Sequence, residues 1–163
     1  MAAFTSAEYL ANIRRILESA MVQLSEAGFD APQFTDKSIY HSIPDAVDDV
    51  NGPWETEYEA TSTDNTIDIS PDPTRTESRA ICLWTAFLLM EGWANLNLTD
   101  GSIGASYREG IASIDTRGQG VLARTAMDRL EGRAQRAIDR ITLGEATAGG
   151  SQLPFVPADE DDV

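Results

Sequence analysis

Residues 74–93 read TRTESRAICLWTAFLLMEGW, and this stretch decides the fold class. Thr74 and Glu77 stand three apart ahead of an apolar run, the spacing of a capping box in which each side chain satisfies the other residue's backbone N–H. The run that follows (Ala80, Ile81, Cys82, Leu83, Trp84, Ala86, Phe87, Leu88, Leu89, Met90 and Trp93) is apolar nearly all round a helical wheel. A helix without a polar face has to be enclosed by other elements, so it is predicted to be the buried centre of the molecule. From Ala80 to Met90 it is too short to span a bilayer.

Two amphipathic helices are available to enclose it. Thr5 and Glu8 form a capping box ahead of Leu10, Ile13, Leu17, Ala20, Met21 and Leu24, a helical period that stops at Gly28. The second helix is expected from about Gly120 to Leu143, with Leu122, Ala126, Leu130, Ala134, Ala137, Ile138 and Ile141 on one side. The chain length, 163 residues, suits one core, so residues 1–145 are read as a single domain and 146–163 as a flexible acidic tail. The expected fold is mainly α: two long amphipathic helices and a buried central one, with one or two small β-hairpins. Leu153, Phe155 and Val156 stand out in the tail, either as docking residues for a partner or as incidental apolar residues of a linker.

Between the helices the pattern changes. Residues 29–76 form a Pro-containing acidic insertion in which eleven carboxylates face only Lys37 and Arg75. A short helix is expected over Ile43–Val50, beginning at Ser42 and Pro44 and ended by Gly52-Pro53. Trp54, Thr56, Tyr58 and Ala60 then alternate with Glu55, Glu57 and Glu59, the period of a strand with one acid-coated face, and Ile67 and Ile69 repeat it as a hairpin partner. Residues 103–116 read as a second hairpin about a turn at Arg108-Glu109-Gly110. There Ile103, Ala105 and Tyr107 are answered either by Ala112 and Ile114 or by Ile111 and Ser113.

The charge balance excludes several functions. There are 27 acids against 12 basic residues, a net charge of −15, and Lys37 is the sole lysine. Carboxylates spread over folded segments suit a multimolar-salt medium that screens their repulsion, and the composition resembles that of haloarchaeal proteins. Such a surface repels phosphates, so a nucleic-acid grip is not expected. The single cysteine, Cys82, rules out an intrachain disulfide and reads as a core thiol. Neither a signal peptide nor a membrane segment is read, so the protein is expected to be soluble.

Candidate chemical motifs each fail on spacing or context. Gly118-Gln119-Gly120-Val121-Leu122-Ala123 matches G-x-G-x-x-A, but no βαβ unit surrounds it. Asp45, Asp48, Asp49 and Asn51 ahead of Gly52 lack calcium-loop spacing, and Ala60 stands where a bidentate Glu belongs. His41 is the lone histidine, and no G-x-S-x-G elbow accompanies it. The Asn97-Leu98-Thr99 sequon is discounted without a secretion signal. The expectation is therefore a non-enzyme with no cofactor and no metal site.

One segment departs from the acidic trend. In the last helix Arg117, Arg124, Arg129, Arg133, Arg136 and Arg140 outnumber Asp128, Glu131, Asp139 and Glu145. Arg129, Arg133, Arg136 and Arg140 recur at i, i+4, i+7 and i+11 and so share one helical face. They pair either with the acidic middle segment of the same chain or with Glu55, Glu57 and Glu59 of a neighbouring copy.

The order of long helix, Pro-broken acidic segment, buried helix, the segment Ser106-Tyr107-Arg108-Glu109-Gly110-Ile111-Ala112-Ser113-Ile114-Asp115-Thr116, closing helix and tail resembles the head–tail adaptor (connector) proteins of tailed phages and haloarchaeal tailed viruses. The likeness covers roughly residues 5–143. It implies a polar hairpin at Tyr107, Arg108, Glu109 and Gly110. It also implies a ring of about twelve copies between a portal protein and a tail-side stopper, at the head–tail junction of the virion. DNA would pass through the ring without specific binding, and the C-terminal segment would reach the portal. The insertion between Ala31 and Pro73 is longer than a minimal adaptor needs. Two other expectations stand beside this one: a cytosolic halophile enzyme subunit or regulator with an inter-chain site, and a mainly β stopper or tail-terminator.

Overall fold

The structure is a computed structural model that describes residues 4–28, 31–99, 108–109, 112–113 and 116–149, with side chains over 4–28, 31–94 and 120–144. Among these residues the elements are α1 (Ser6–Glu26), α2 (Asp36–Trp54), β1 (Glu59–Ser62), β2 (Ile67–Ser70), α3 (Arg75–Thr99), β3 (Arg108–Glu109), β4 (Ala112–Ser113) and α4 (Thr116–Gly149). The fold is mainly helical, as the apolar periodicities predict.

α3 is the centre. It packs against α1, α2 and α4, and Ala80, Ile81, Cys82, Ala86 and Met90 are buried along it. Its capping box forms: Glu77 N–H donates to Thr74 Oγ1 at 3.3 Å, and Thr74 N–H donates to the Glu77 carboxylate. α1 opens on the equivalent Thr5–Glu8 box and stops before Gly28, whose φ of 79° a residue with a Cβ rarely adopts. A buried hydroxyl pair, Tyr9 Oη donating to Ser78 Oγ at 3.0 Å, ties α1 to α3. Burial also pushes the Tyr9 phenol well above its ordinary range.

The first correction concerns α2. It begins at the Thr35 cap, not at Ser42, and runs through both Pro44 and Pro53 to Trp54. A mid-helix proline costs about 3 kcal/mol. Here Ile39, Tyr40, Ile43, Ala46, Val47, Val50 and Trp54 form one unbroken buried stripe across the prolines. Burying each large apolar side chain contributes about 1.5–3 kcal/mol, so the stripe outweighs the prolines. The helix ends in a Schellman motif, with Thr56 N–H donating to Asn51 O and Glu55 N–H to Gly52 O. Glu55 occupies its left-handed position (φ 53°, ψ 36°), where glycine is usual.

That ending corrects the first hairpin as well. Trp54 closes a helix instead of opening a strand, and β1 spans only Glu59–Ser62. β1 pairs antiparallel with β2, Glu59 opposite Ser70 and Ser62 opposite Ile67, so the expected hairpin exists in shorter form. Ile67 and Ile69 face the core and Asp68 faces water. Thr63 Oγ1 accepts from Asn65 N–H and Thr66 N–H to close the turn. Ser6 on α1 both donates to Ile67 O and accepts from Ile67 N–H, which fixes β2 on the start of α1.

The second hairpin pairs Arg108 with Ser113 and Glu109 with Ala112. Arg108 and Glu109 are thus strand residues and not the turn. Tyr107, Gly110, Ile103 and Ala105 lie outside the described residues. α4 starts at Thr116 and continues to Gly149, longer than the expected span at both ends. Gly118 and Gly120 both lie within the helix. Gly144 does not stop it either, because Gly144 holds no positive φ there. Each glycine costs a helix only about 1 kcal/mol, less than the buried Ala123, Ala126, Leu130, Ala134, Ile138 and Ile141 contribute along the same face.

Candidate functional site

At 100° per residue, Arg129, Arg133, Arg136 and Arg140 fall within about 60° of arc on α4. All four are exposed. The stripe flanks the buried face on the side where α1 packs, and Arg129 Nη1 donates to Gln23 Oε1 of α1 at 3.1 Å. Between the two helices lies a cleft of about 530 Å³ lined by Gln23, Asp128, Arg129, Arg133 and Arg136, among others. It holds three arginines against one carboxylate. The Arg136 guanidinium lies over Gly132, its Nη1 3.4 Å from where a Cβ would stand, so the missing side chain leaves room for it.

A second, smaller cavity of about 180 Å³ shares Arg133 and adds Arg15 of α1 and Arg79 of α3. Arg15 Nη2 donates to Asn12 Oδ1 at 2.9 Å. Five arginines from three helices therefore border two cavities that share Arg133, in a chain of net charge −15. Arg129, Arg133, Arg136 and Arg140 were legible from spacing in α4. Arg15 and Arg79 were not, because which turn of α1 and α3 meets Arg133 is set by helix packing.

The acidic residues proposed to answer the stripe stand elsewhere. Glu55 caps α2, Glu57 lies in the connection to β1, and Glu59 opens β1, so the three do not share one strand face. All are exposed. The end of α2 meets α4 through Trp54 Nε1 donating to Ile138 O at 3.4 Å and Thr142 Oγ1 donating to Pro53 O at 3.3 Å. Ile138 and Thr142 lie about half a turn round the helix from the stripe. Among the described residues, none of the four arginines forms an ion pair with Glu55, Glu57 or Glu59. Leu153, Phe155 and Val156 lie outside the described residues.

The remaining polar constellations do structural work. Asp45, Asp48 and Asp49 project from α2, and Asp49 accepts from Trp84 Nε1 at 2.7 Å. Asn51, read beforehand only as a discounted calcium ligand, knits the corner after α2. Its Oδ1 accepts from Tyr58 N–H and Thr56 Oγ1, and its Nδ2 donates to Tyr58 O. No spacing rule marks such a residue, since its partners are set by the turn it stabilises. His41 Nε2 stands 3.0 Å from Asp64 Oδ1 at the hairpin tip, where Lys37 also binds. These two hydrogen bonds hold the Asp64 carboxyl below its ordinary range. Ser38 and Ser42, beside His41 on α2, donate to backbone carbonyls of their own helix.

Cys82 is buried, and burial raises its thiol pKa strongly, which leaves it a neutral core group. Among the described residues no cluster of His, Cys, Asp or Glu could hold a metal ion, and no helix is long and apolar enough to cross a membrane. Compared with known protein families, curated proteins and solved structures, the chain finds no match.

Proposed function

We propose that this chain is the head–tail adaptor of a tailed virus living in high salt, a virion structural protein and not an enzyme. In this reading copies assemble into a ring between the portal and a tail-side stopper and line the channel through which DNA passes. The observation that carries it is the short antiparallel β3–β4 pair inserted between α3 and α4, the two longest helices, where the adaptor architecture has its hairpin. Charge segregation supports assembly. An arginine stripe and an acid-rich corner half a turn away on the same subunit are the two halves of a head-to-tail contact, the kind that closes a ring. An acidic inner wall would repel phosphates and let the genome slide. A mainly β stopper is a poorer fit to a chain whose described residues form four helices and two short hairpins.

The mass of the native particle in high salt, alone and with portal protein, tests the reading. A high-order ring, or a monomer that joins rings only on the portal, is the expected result. A second reading, an enzyme subunit or regulator, draws on the arginine cleft as an anion pocket. It predicts a discrete dimer or tetramer stabilised by a small anionic ligand, and that result would replace the adaptor.

A further inference from the structure

In the smaller cavity, positive charge converges from three separate helices. Arg15 of α1, Arg79 of α3 and Arg133 of α4 line it together, and the rest of its lining is Asn12 and apolar residues of α1 and α3, with no carboxylate. The chain carries 27 acids to 12 basic residues, yet among the described residues none of these three arginines forms an ion pair. The helices themselves supply little relief. One turn either side of Arg79 stand Arg75, Thr76, Cys82 and Leu83, and one turn either side of Arg133 stand Arg129, Leu130, Arg136 and Ala137. Glu18 follows Arg15 by one turn but lines the separate pocket beside Arg14. Three like charges brought to one cavity repel one another, and an anion that enters relieves the repulsion.

We propose that this cavity is a binding site for a phosphate group, either inorganic phosphate or the phosphate of a small monoester. A carboxylate can be filled by a single guanidinium fork, whereas a phosphate still has oxygens to offer donors arriving from other helices. The size agrees. Pockets for drug-sized ligands run to about 300–1,000 Å³, so a cavity of about 180 Å³ suits a compact group.

The frame is set before any ligand arrives. The buried Tyr9–Ser78 hydroxyl pair, at 3.0 Å, joins α1 to α3 one turn ahead of Asn12 and one residue ahead of Arg79. Arg15 is oriented by its bond to Asn12 Oδ1, which uses one guanidinium N–H and leaves the others for a ligand. Arg133 precedes Ala134, which is fully buried, so its backbone is held by the core. The site shares Arg133 alone with the larger arginine cleft. It is independent of the ring reading, because Arg15 and Arg79 lie off the α4 stripe.

Titration of the full-length chain with inorganic phosphate at neutral pH and constant ionic strength, followed through the arginine Nε–H resonances, tests the site. The signals of Arg15 and Arg79 should shift saturably with a common dissociation constant. Arg15→Gln and Arg79→Gln should each weaken binding about tenfold, the loss of a hydrogen bond to a charged partner. Arg79→Lys keeps the charge but loses the fork, and should weaken binding as well. Arg129→Gln/Arg136→Gln, which alters only the larger cleft, should change it by no more than about twofold. All of these side chains are exposed, so the substitutions leave the fold intact.

Glycerol phosphate in a parallel titration distinguishes the two sources: tighter binding than inorganic phosphate assigns the site to an esterified phosphate, and equal or weaker binding assigns it to the free ion. Acetate should bind about tenfold more weakly than phosphate, and equal binding overturns the choice of a phosphate. The absence of a saturable shift at Arg15 and Arg79, or binding indifferent to their substitution, would overturn the site itself. Binding lost equally in Arg129→Gln/Arg136→Gln overturns it too, by placing the anion in the larger cleft.

Discussion

The acid-rich segment from Ala31 to Pro73 and the outer face of α4 use charge in opposite ways. In the first, carboxylates sit one by one on helix, corner and hairpin, and several are held locally: Asp36 by Arg14, Asp64 by Lys37 and His41, Asp49 by the Trp84 indole. In the second, four guanidinium groups line up on one arc, and among the described residues the partner found for them is the neutral Gln23. Dispersed, locally held charge keeps a surface hydrated and contributes little per pair. Aligned donors facing a cleft are suited to receiving something that brings several carboxylates at once. The contrast is one of aligned charge on α4 against dispersed, locally held charge on the acidic segment.

The sharpest way to break that division is to cut the joint between the two regions. Trp54→Ala removes the buried ring that spans α2 and Ile138 of α4, and should cost about 3–5 kcal/mol, read as a lower midpoint in urea unfolding. Next comes the corner. Asn51→Ala removes its three side-chain hydrogen bonds to Thr56 and Tyr58, which should cost about 1–3 kcal/mol and leave the behaviour of the arginine face unchanged. Glu55→Gly should go the other way, stabilising the chain by up to about 1 kcal/mol, because it relieves a left-handed residue at the end of α2. A rise in the thermal midpoint would confirm that the acid there is held at a conformational cost.

Acid titration has a smaller effect and a definite sign. Glu8 is held below its ordinary 4.5 chiefly by the hydrogen bond from the Thr5 backbone. Asp64 is held below its ordinary 3.8 chiefly by His41. A depressed carboxyl stabilises the fold above its unfolded pKa and loses that contribution as pH falls through the folded value. Stability should therefore decline as pH drops from about 4.5 downward, and Asp64→Asn should flatten the lower part of that decline. Arg133→Gln should have the least effect on stability, within about 0.5 kcal/mol, yet weaken whatever the α4 face binds. A large stability loss from it would mean that the stripe serves the fold, and the contrast between the two regions would dissolve.

Legibility followed the range of the interaction involved. Caps at Thr5 and Thr74, the stop at Gly28 and the burial of Ala80, Ile81, Cys82, Ala86, Phe87, Leu89 and Met90 depend on neighbours three or four residues away and were readable, while Leu83, Trp84, Leu88 and Trp93 are only half-buried. The arginine arc on α4 was readable for the same reason. The prolines of α2 misled, because local rules weigh the lost hydrogen bond at Pro44 without knowing that Ile39, Tyr40 and Ile43 ahead of it share a core with Val47 and Val50 behind it. The alternation from Trp54 to Ala60 misled in the same way: period two is visible in sequence, but whether Trp54 ends a helix depends on Ile138 lying beneath it.

By itself the sequence determined the helical class, the central helix, the two capped helix starts, the hairpin partners Ile67 and Ile69, and the charge pattern, since each follows from periodicity or from contacts within one turn. Tertiary structure alone decided that α2 is continuous, that Asn51 builds the corner and that Arg15 and Arg79 come to stand beside Arg133. Apart from the Asn51 corner, whose partners lie five and seven residues away, these depend on contacts between residues far apart in the chain. Their energy comes from burying surfaces whose pairing no local pattern encodes.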